Sequence, residues 1–495
     1  MANTEGQEAI HRFIMLVSAS YSRRLQLIAV TTLASGFVAA TFMPKIRADN
    51  AGTATVSEHI FRRLSTSNGT LIDEDEELPS LFPFSWPEDY LGFGSAILGL
   101  LLAAGGGIGG GGILVPIYIL LLEFPVKHAI PLASTTVLGG AIASNIWNAR
   151  KRHPDHPERP LIDWDLILQL EPLTIAGALI GADLNQELPE LVLLILMLLL
   201  LTVTAQKTLS KAFKLYRKEE EDEMIKSQRQ RQAEDTANEN TALIPSRETH
   251  FDIENKESGP SAGANEEERN GSADDIEMMI AKQCLIDAFK LSLLFAMVTL
   301  LDLLQGTPDG NGGGPLGLQS CGTTCYWVSE VMIFLLIVLF SLYVRSSILK
   351  RQDEGGPKVS EIHWTSRNTI TYPCFSIVAG LVAGMFGIGG GIIKGPLMLA
   401  LGVHPQVAAA TSAAMILFTS CTATISYSSM GYLKYDYATF CLVLGFLSTF
   451  VGKTFMAALL KRSGQRSSYI AFCIGGVVAI SAIAMGIESA FAMWG

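Results

Sequence analysis

Long apolar runs separated by short polar joints dominate the chain. Stretches of roughly 20 residues, the length a helix needs to cross about 30 Å of hydrocarbon, recur at Leu25–Met43, Ala129–Asn148, Ile162–Leu184, Pro189–Ala205, Cys284–Leu304, Val328–Val344, Val407–Tyr427, Tyr437–Leu459 and Tyr469–Met485. They predict an all-α, polytopic membrane protein. Two further apolar stretches, Tyr90–Lys127 and Cys374–Leu401, are interrupted by the glycine runs Gly105-Gly106-Gly107-Ile108-Gly109-Gly110-Gly111-Gly112 and Gly387-Ile388-Gly389-Gly390-Gly391. Each glycine disfavours a helix by about 1 kcal/mol relative to alanine, so each stretch is expected to break into two half-helices.

Basic residues assign the sides, because lysine and arginine accumulate in cytoplasmic loops. Arg150-Lys151-Arg152, the cluster Lys207, Lys211, Lys214, Arg217 and Lys218, the cluster Arg345, Lys350, Arg351 and Lys358, and the pair Lys461-Arg462 all come out cytoplasmic if every long run crosses once. The glycine-broken stretches then return to the side they came from, as re-entrant hairpins entering from opposite faces. They are also copies of one another. Gly107-Ile108-Gly109-Gly110-Gly111 recurs as Gly387-Ile388-Gly389-Gly390-Gly391 at an offset of 280, which also pairs Pro116 with Pro396 and Pro125 with Pro405; Asp165 and Gly181 match Asp436 and Gly452 at an offset of 271. The expected architecture is therefore two inverted-topology repeats, each a re-entrant hairpin followed by transmembrane helices, an arrangement used by many secondary transporters.

The domain plan follows. Residues 1–45, with Arg23 and Arg24 ahead of an apolar run that ends in small residues, read as a signal peptide or signal anchor. Residues 46–89 form an acidic extracytoplasmic segment, with Asn68-Gly69-Thr70 as a glycosylation acceptor. The first repeat covers 90–207 and the second 373–488. Between them lie a disordered cytoplasmic linker (208–283), expected from its Glu, Gln, Asn and Ser content, two connecting transmembrane helices (284–346) and a cytoplasmic loop (347–372).

Composition agrees with a membrane protein: of 495 residues, 49% are hydrophobic and 17% charged, with mean hydropathy +0.34. The net charge of −11 is concentrated in Asp73–Glu77 and the linker, and no basic patch suggests nucleic acid as a partner. The seven cysteines sit mostly in apolar runs; only Cys321 and Cys325 share a loop, where a disulfide is the reading if that loop faces an oxidising compartment. No nucleophile–base pair, Walker loop or metal-ligand spacing occurs, which points away from an enzyme, a cofactor or a metal. The match of Gly107-x-Gly109-x-x-Gly112 to a dinucleotide fingerprint lacks the strand that motif requires.

Candidate chemistry lies at the glycine breaks. A turn within the membrane must be buried in protein or line a wet cavity. The half-helix after it presents free N–H groups and a partial positive charge, which favour an anion. Gly109, Gly110, Gly111 and Gly112 with Gly389, Gly390 and Gly391 are thus candidate substrate contacts; the alternative is a helix-packing surface of small residues. Lys394, three residues beyond Gly391, is an intramembrane charge and so a site candidate, as an anion contact or as the partner of an acid such as Glu171. Ser134, Thr135, Thr411 and Ser412 follow the hairpins and could donate to oxyanion oxygens or bond their own backbone; Asn145 is a weaker candidate. Glu171, before Pro172 inside a span, either couples transport to a proton or is a neutral acid at a packing kink. Asp165 and Asp436, at equivalent span ends, are expected as caps or interfacial residues.

With these residues in view, the chain resembles the sulfite exporter TauE/SafE family from about Ser85 to Ile487. The doubled glycine motifs with Pro116 and Pro396 carry the likeness. Trp86-Pro87, Asn148-Ala149-Arg150-Lys151-Arg152-His153-Pro154, Pro160-Leu161-Ile162-Asp163-Trp164-Asp165-Leu166 and Tyr326-Trp327 bring it nearest to the plant-type branch. The resemblance implies a permease for small anions such as sulfite, thiosulfate, sulfoacetate or related sulfonates. Lys394 and Glu171 depart from the uncharged residues expected there. The leading reading is an alternating-access transporter whose partners are a small anion, the bilayer and, through Glu171, a coupling proton; a homo-oligomer is left open. An anion channel and a non-transporting scaffold that recruits partners through the acidic linker are the alternatives.

Overall fold

The computed structural model describes residues 88–106, 109–156, 159–242, 263–305, 323–354, 362, 364–462 and short pieces between 472 and 486. The segments 1–45 and 46–87, Asn68, Cys321 and the side chain of Cys325 lie outside the described residues.

Eleven helices are named in chain order: α1 (Glu88–Gly106), α2 (Gly111–Leu120), α3 (Val126–Asn148), α4 (Trp164–Glu187), α5 (Glu190–Ala242), α6 (Gly263–Gln305), α7 (Thr323–Asp353), α8 (Asn368–Phe386), α9 (Gly391–Ala400), α10 (Pro405–Ser429) and α11 (Tyr435–Arg462). Among the described residues, eight helices are long and apolar enough to cross a membrane: α3, α4, α8, α10 and, in their apolar parts, α5, α6, α7 and α11. The order long helix, glycine break, short helix, long helix, long helix occurs twice, as α1–α4 and as α8–α11.

α3, α4 and α10 form the centre. They bury 89, 89 and 94% of their apolar windows, whereas α5, α6 and α7 bury 28, 39 and 22% and turn Leu199, Phe289, Val331 and similar side chains outward. Apolar side chains facing outward are what lipid requires. α3 and α10 run antiparallel: His128 Nδ1, near the start of α3, is 3.1 Å from the Tyr432 carbonyl just past the end of α10, Asn145 Nδ2 donates to the Ala413 carbonyl at 3.1 Å, and the rings of His153 and His404 lie 6.0 Å apart at the other end.

Two helix crossings are closed by glycine. On α4 against α8, a Cβ on Gly177 would meet the Ile377 carbonyl oxygen at 2.2 Å, and one on Gly380 would meet the Thr174 oxygen at 2.0 Å. On α3 against α11, a Cβ on Gly139 would lie 2.1 Å from the Leu442 oxygen, and one on Gly445 would lie 2.0 Å from the Thr136 oxygen. Backbones approach this closely only where side chains are absent, a recurrent device for packing helices in membranes. Each crossing ties an element of one half of the chain to an element of the other.

The polar stretch 208–283 differs from expectation. α5 runs on to Ala242 and α6 begins at Gly263, so helix occupies every described residue of the segment read as a disordered linker; 243–262 lie outside the description. The reason is that residues 190–242 contain neither glycine nor proline and are rich in Glu, Lys, Arg and Gln after the apolar run, and these are good helix formers. Low hydrophobicity argues against a packed core but not against a helix that continues from an anchored one.

Candidate functional site

The glycines that cap the short helices after the two breaks adopt the same conformation. Gly110 caps α2 with φ 71° and ψ −10°, and Gly390, its partner at the 280-residue offset, caps α9 with φ 71° and ψ −5°. This left-handed region excludes most side chains, which is why glycine stands at both positions. The Gly110 carbonyl accepts from the N–H groups of Ile113 and Leu114, and the Gly390 carbonyl from those of Ile393 and Lys394. Earlier first-turn N–H groups have no intrahelical acceptor, and no side chain among the described residues caps either helix. The turns touch: a Cβ on Gly111 would fall 2.5 Å from Ile388 Cα. Ile416 of α10 packs on both, its Cδ1 2.9 Å from the Cβ position of Gly109 and its Cγ2 2.9 Å from that of Gly389. Two helix N-termini, each with a fractional positive charge, thus converge at the buried centre.

Lys394 lies in the first turn of α9, its side chain running past Gly390, with Cε 3.3 Å from that residue's Cβ position. Its Nζ donates to Glu171 Oε2 at 2.8 Å and to Thr419 Oγ1 at 2.8 Å. Thr419 Oγ1 is in turn 2.6 Å from Glu171 Oε1 and 3.0 Å from the Met415 carbonyl. Lys394, Glu171 and Thr419 are fully buried. Desolvating each charge is expensive and is offset only by close pairing and satisfied hydrogen bonds. Of the two readings of Lys394, this geometry is that of the pair with Glu171. The triad joins α9 and α10 of the second half to α4 of the first. Thr419 escaped the sequence reading because serine and threonine abound in α10; the available signal was that two intramembrane charges need hydrogen-bond partners at their own depth.

The other expected hydroxyls divide. Thr135 donates to the Pro131 carbonyl one turn back at 2.9 Å, and Thr411 accepts the N–H of Asp163 at 3.0 Å, so both are committed to backbone. Asn145 donates to the carbonyls of Ala141 and Ala413, linking α3 to α10. Ser134 and Ser412 are each 1% exposed, and their hydroxyl oxygens have no hydrogen-bond partner among the described residues. Ser134 Oγ stands against the second break, 3.0 Å from the Cβ position of Gly387. A cavity of about 20 Å³ beside the first break is lined by Gly109, Gly110, Ser144, Ile416 and Thr449. That is room for about one water.

Asp165 is not a cap. Asp163 caps α4, accepting from the Leu166 N–H at 3.1 Å, while Asp165 pairs with Arg351 of α7 at 2.9 Å. Arg351 also reaches Asp287 of α6 at 3.1 Å, and Asp287 is contacted by Gln283 and Lys290. At the far end of α4, Asp183 accepts from Tyr326 at 3.2 Å. These contacts fasten the connecting helices α6 and α7 to the first half; the sequence offered no pairing rule for them. Among the described residues no group of three or more His, Cys, Asp or Glu side chains is placed to hold a metal ion.

The family profile described as "Sulfite exporter TauE/SafE" matches residues 91–244 and 313–489. Similar proteins include "Sulfite exporter TauE/SafE family protein 5" of Arabidopsis thaliana, 28% identical over 404 residues that cover 80% of this chain and 82% of the relative. "Sulfite exporter TauE/SafE family protein 3" of the same plant is 28% identical over 413 residues, 82% of this chain and 79% of the relative. "Probable membrane transporter protein YunE" of Bacillus subtilis (strain 168) is 29% identical over 150 residues, covering 28% of this chain and 52% of the relative. No solved structure gives a significant match. With a profile that matches on both sides of the central polar stretch and eight membrane-length helices behind it, the chain belongs to the sulfite exporter TauE/SafE family of multi-pass membrane transporters.

Proposed function

We propose that this protein is a secondary transporter of small sulfur-containing oxyanions, such as sulfite, thiosulfate or organosulfonates, working by alternating access. The observation that carries the reading is the meeting of two helix N-termini, each capped by a glycine in the same left-handed conformation, in the buried centre, with Lys394 on the first turn of one of them. An anion there would find backbone N–H groups, two converging dipoles and an ammonium. The unpartnered hydroxyls of Ser134 and Ser412 add donors that an oxyanion can use. The names of the plant relatives favour sulfite as the first substrate to try.

Inverted repeats explain why the same turn occurs twice. The 280-residue offset of the glycine motifs, the equal order of elements and the antiparallel run of α3 and α10 support an inversion of one half against the other. On that reading α1–α2 and α8–α9 are re-entrant hairpins, and rocking of the halves exposes the centre to each side in turn. The cavity of about 20 Å³ beside Gly109 and Gly110 has room for about one water, so on this reading an anion enters the centre only as the halves move.

The test is uptake and counterflow of radiolabelled sulfite, thiosulfate and sulfoacetate in proteoliposomes. Saturable flux with counterflow is the expected result. Unitary conductance in a planar bilayer would replace the carrier with an anion channel. Absence of any flux from folded protein would leave the scaffold reading, in which deletion of 233–271 abolishes partner recruitment.

A further inference from the structure

The partner of Lys394 carries an inference that rests on the transport reading and deepens it. In the structure, the ammonium that would hold a substrate oxyanion is already occupied by a carboxylate, that of Glu171, at 2.8 Å. We infer that Glu171 is an internal substitute for the substrate anion, and that each singly charged oxyanion loaded onto Lys394 enters with one proton, which is taken up by Glu171.

Lys394 and Glu171 together are neutral, and both are fully enclosed. An oxyanion added to that pair would leave one uncompensated negative charge where no water reaches, an arrangement proteins avoid by changing protonation instead. If Glu171 accepts a proton as the anion arrives, the ammonium is handed from one anion to the other and the site keeps a paired charge. The empty form, with the ion pair, and the form loaded with a monoanion and a proton are then both neutral and can pass through the occluded state. The anion alone cannot.

Thr419 is built for the exchange. Its oxygen accepts from Lys394, and its single proton has two acceptors within reach, Glu171 Oε1 at 2.6 Å and the Met415 carbonyl at 3.0 Å. Facing the carboxylate, the hydroxyl donates to Glu171. When Glu171 is protonated, the hydroxyl turns to Met415 and its oxygen accepts the new carboxylic O–H, so both protonation states are satisfied without backbone movement.

The surroundings leave Glu171 as the site of the proton. From α9 the charged group facing it is Lys394; α10 contributes the Thr419 hydroxyl; among the described residues of α6, α7 and α8 no charged or titratable side chain acts on it. The acids Asp165 and Asp183 on its own helix are six residues before and twelve residues after, about 9 and 18 Å along the axis. They belong to the contacts with Arg351 and Tyr326. On release the steps reverse: the anion leaves Lys394, Glu171 gives its proton to water on the exit side, and the ion pair re-forms.

The experiment is binding of methanesulfonate, a sulfonate that stays singly charged and does not itself titrate in this range, to the full-length protein in nanodiscs over a range of pH, with proton uptake followed by a dye in weak buffer. For the wild type the expected results are about one proton taken up per anion bound, and an apparent Kd that weakens about tenfold per pH unit on the alkaline limb, the slope of a single linked proton. Glu171→Gln is expected to bind without proton uptake and with a flat pH profile, and Glu171→Asp to restore the slope. Should Glu171→Gln fail to fold, the wild-type uptake and the Glu171→Asp profile still decide. Wild-type binding without proton uptake, or a slope that persists in Glu171→Gln, would overturn the coupling while leaving the transporter standing. No binding of methanesulfonate by folded wild type, together with no flux of any of the tested anions in proteoliposomes, would remove both.

Discussion

Placing one methyl group at the crossing of α4 and α8 should separate the two halves of the protein. At Gly380 an added Cβ would stand 2.0 Å from the Thr174 oxygen, 2.8 Å from its carbonyl carbon and 3.0 Å from its Cα, whereas ordinary contact begins near 3.4 Å. The obstacle is backbone on both sides, so no rotamer change can relieve it, and the helices would have to part by about 1.4 Å at that point. Overpacking of a well-filled interior costs about 1–3 kcal/mol. We expect Gly380→Ala near the top of that range, because Gly384, one turn on, meets the Ala178 oxygen at 2.1 Å and would be pulled out of register with it. The control is the same substitution at Gly94 of α1, where a Cβ meets nothing within 4 Å. There alanine should stabilise, by up to about 1 kcal/mol, through helix propensity alone. Thermal denaturation in detergent, read by size-exclusion chromatography after heating, compares the two. A Gly380→Ala protein as heat-stable as wild type, with undiminished flux, would refute the close crossing.

Other expectations follow from the site. Ser134→Ala should leave heat stability unchanged, because the hydroxyl has no partner among the described residues, yet weaken oxyanion binding about tenfold, the worth of one hydrogen bond to a charged ligand; unchanged affinity in a binding titration would remove Ser134 from the site. Lys394→Met should abolish anion binding and, by stranding Glu171, destabilise by about 3–5 kcal/mol. The double variant Lys394→Met with Glu171→Gln should regain most of that stability without regaining binding, and a double variant no more stable than the single would contradict the pairing. Arg351→Gln should cost about 1–3 kcal/mol, by leaving Asp165 with a weaker partner while Lys290 and Gln283 still hold Asp287. Hydrogen exchange should then rise at the facing ends of α6 and α7 and not in α11.

Much of the architecture is legible in the order of residues, since lipid demands a continuous apolar run for each crossing helix and forbids an unsupported break. The runs beginning at Ala129, Ile162, Val407 and Tyr437 become helices close to their expected limits, those beginning at Pro189, Cys284 and Val328 fall on longer helices, and both glycine runs interrupt helices as expected. Lys394 and Glu171 likewise stand out unaided, because a charge within an apolar run is expensive wherever it points. What the sequence could not determine is partnership. Lys394 and Glu171 are 223 residues apart and Thr419 and Glu171 are 248 apart, so their meeting depends on how the halves pack. Thr411 and Ser412 look equivalent in sequence, but one is committed to the Asp163 backbone and the other is unpartnered, because adjacent positions on a helix point about 100° apart. The helix through Ala242 was hidden for a different reason: composition reports how much surface a segment can bury, whereas helix continuation depends on local propensity and on an anchored turn before it. Local chemistry therefore determined the spans, the breaks and the isolated charges. Tertiary packing alone decided which of those charges and hydroxyls meet, since a buried charge is tolerated only beside its partner and only the assembled helices bring that partner within hydrogen-bonding reach.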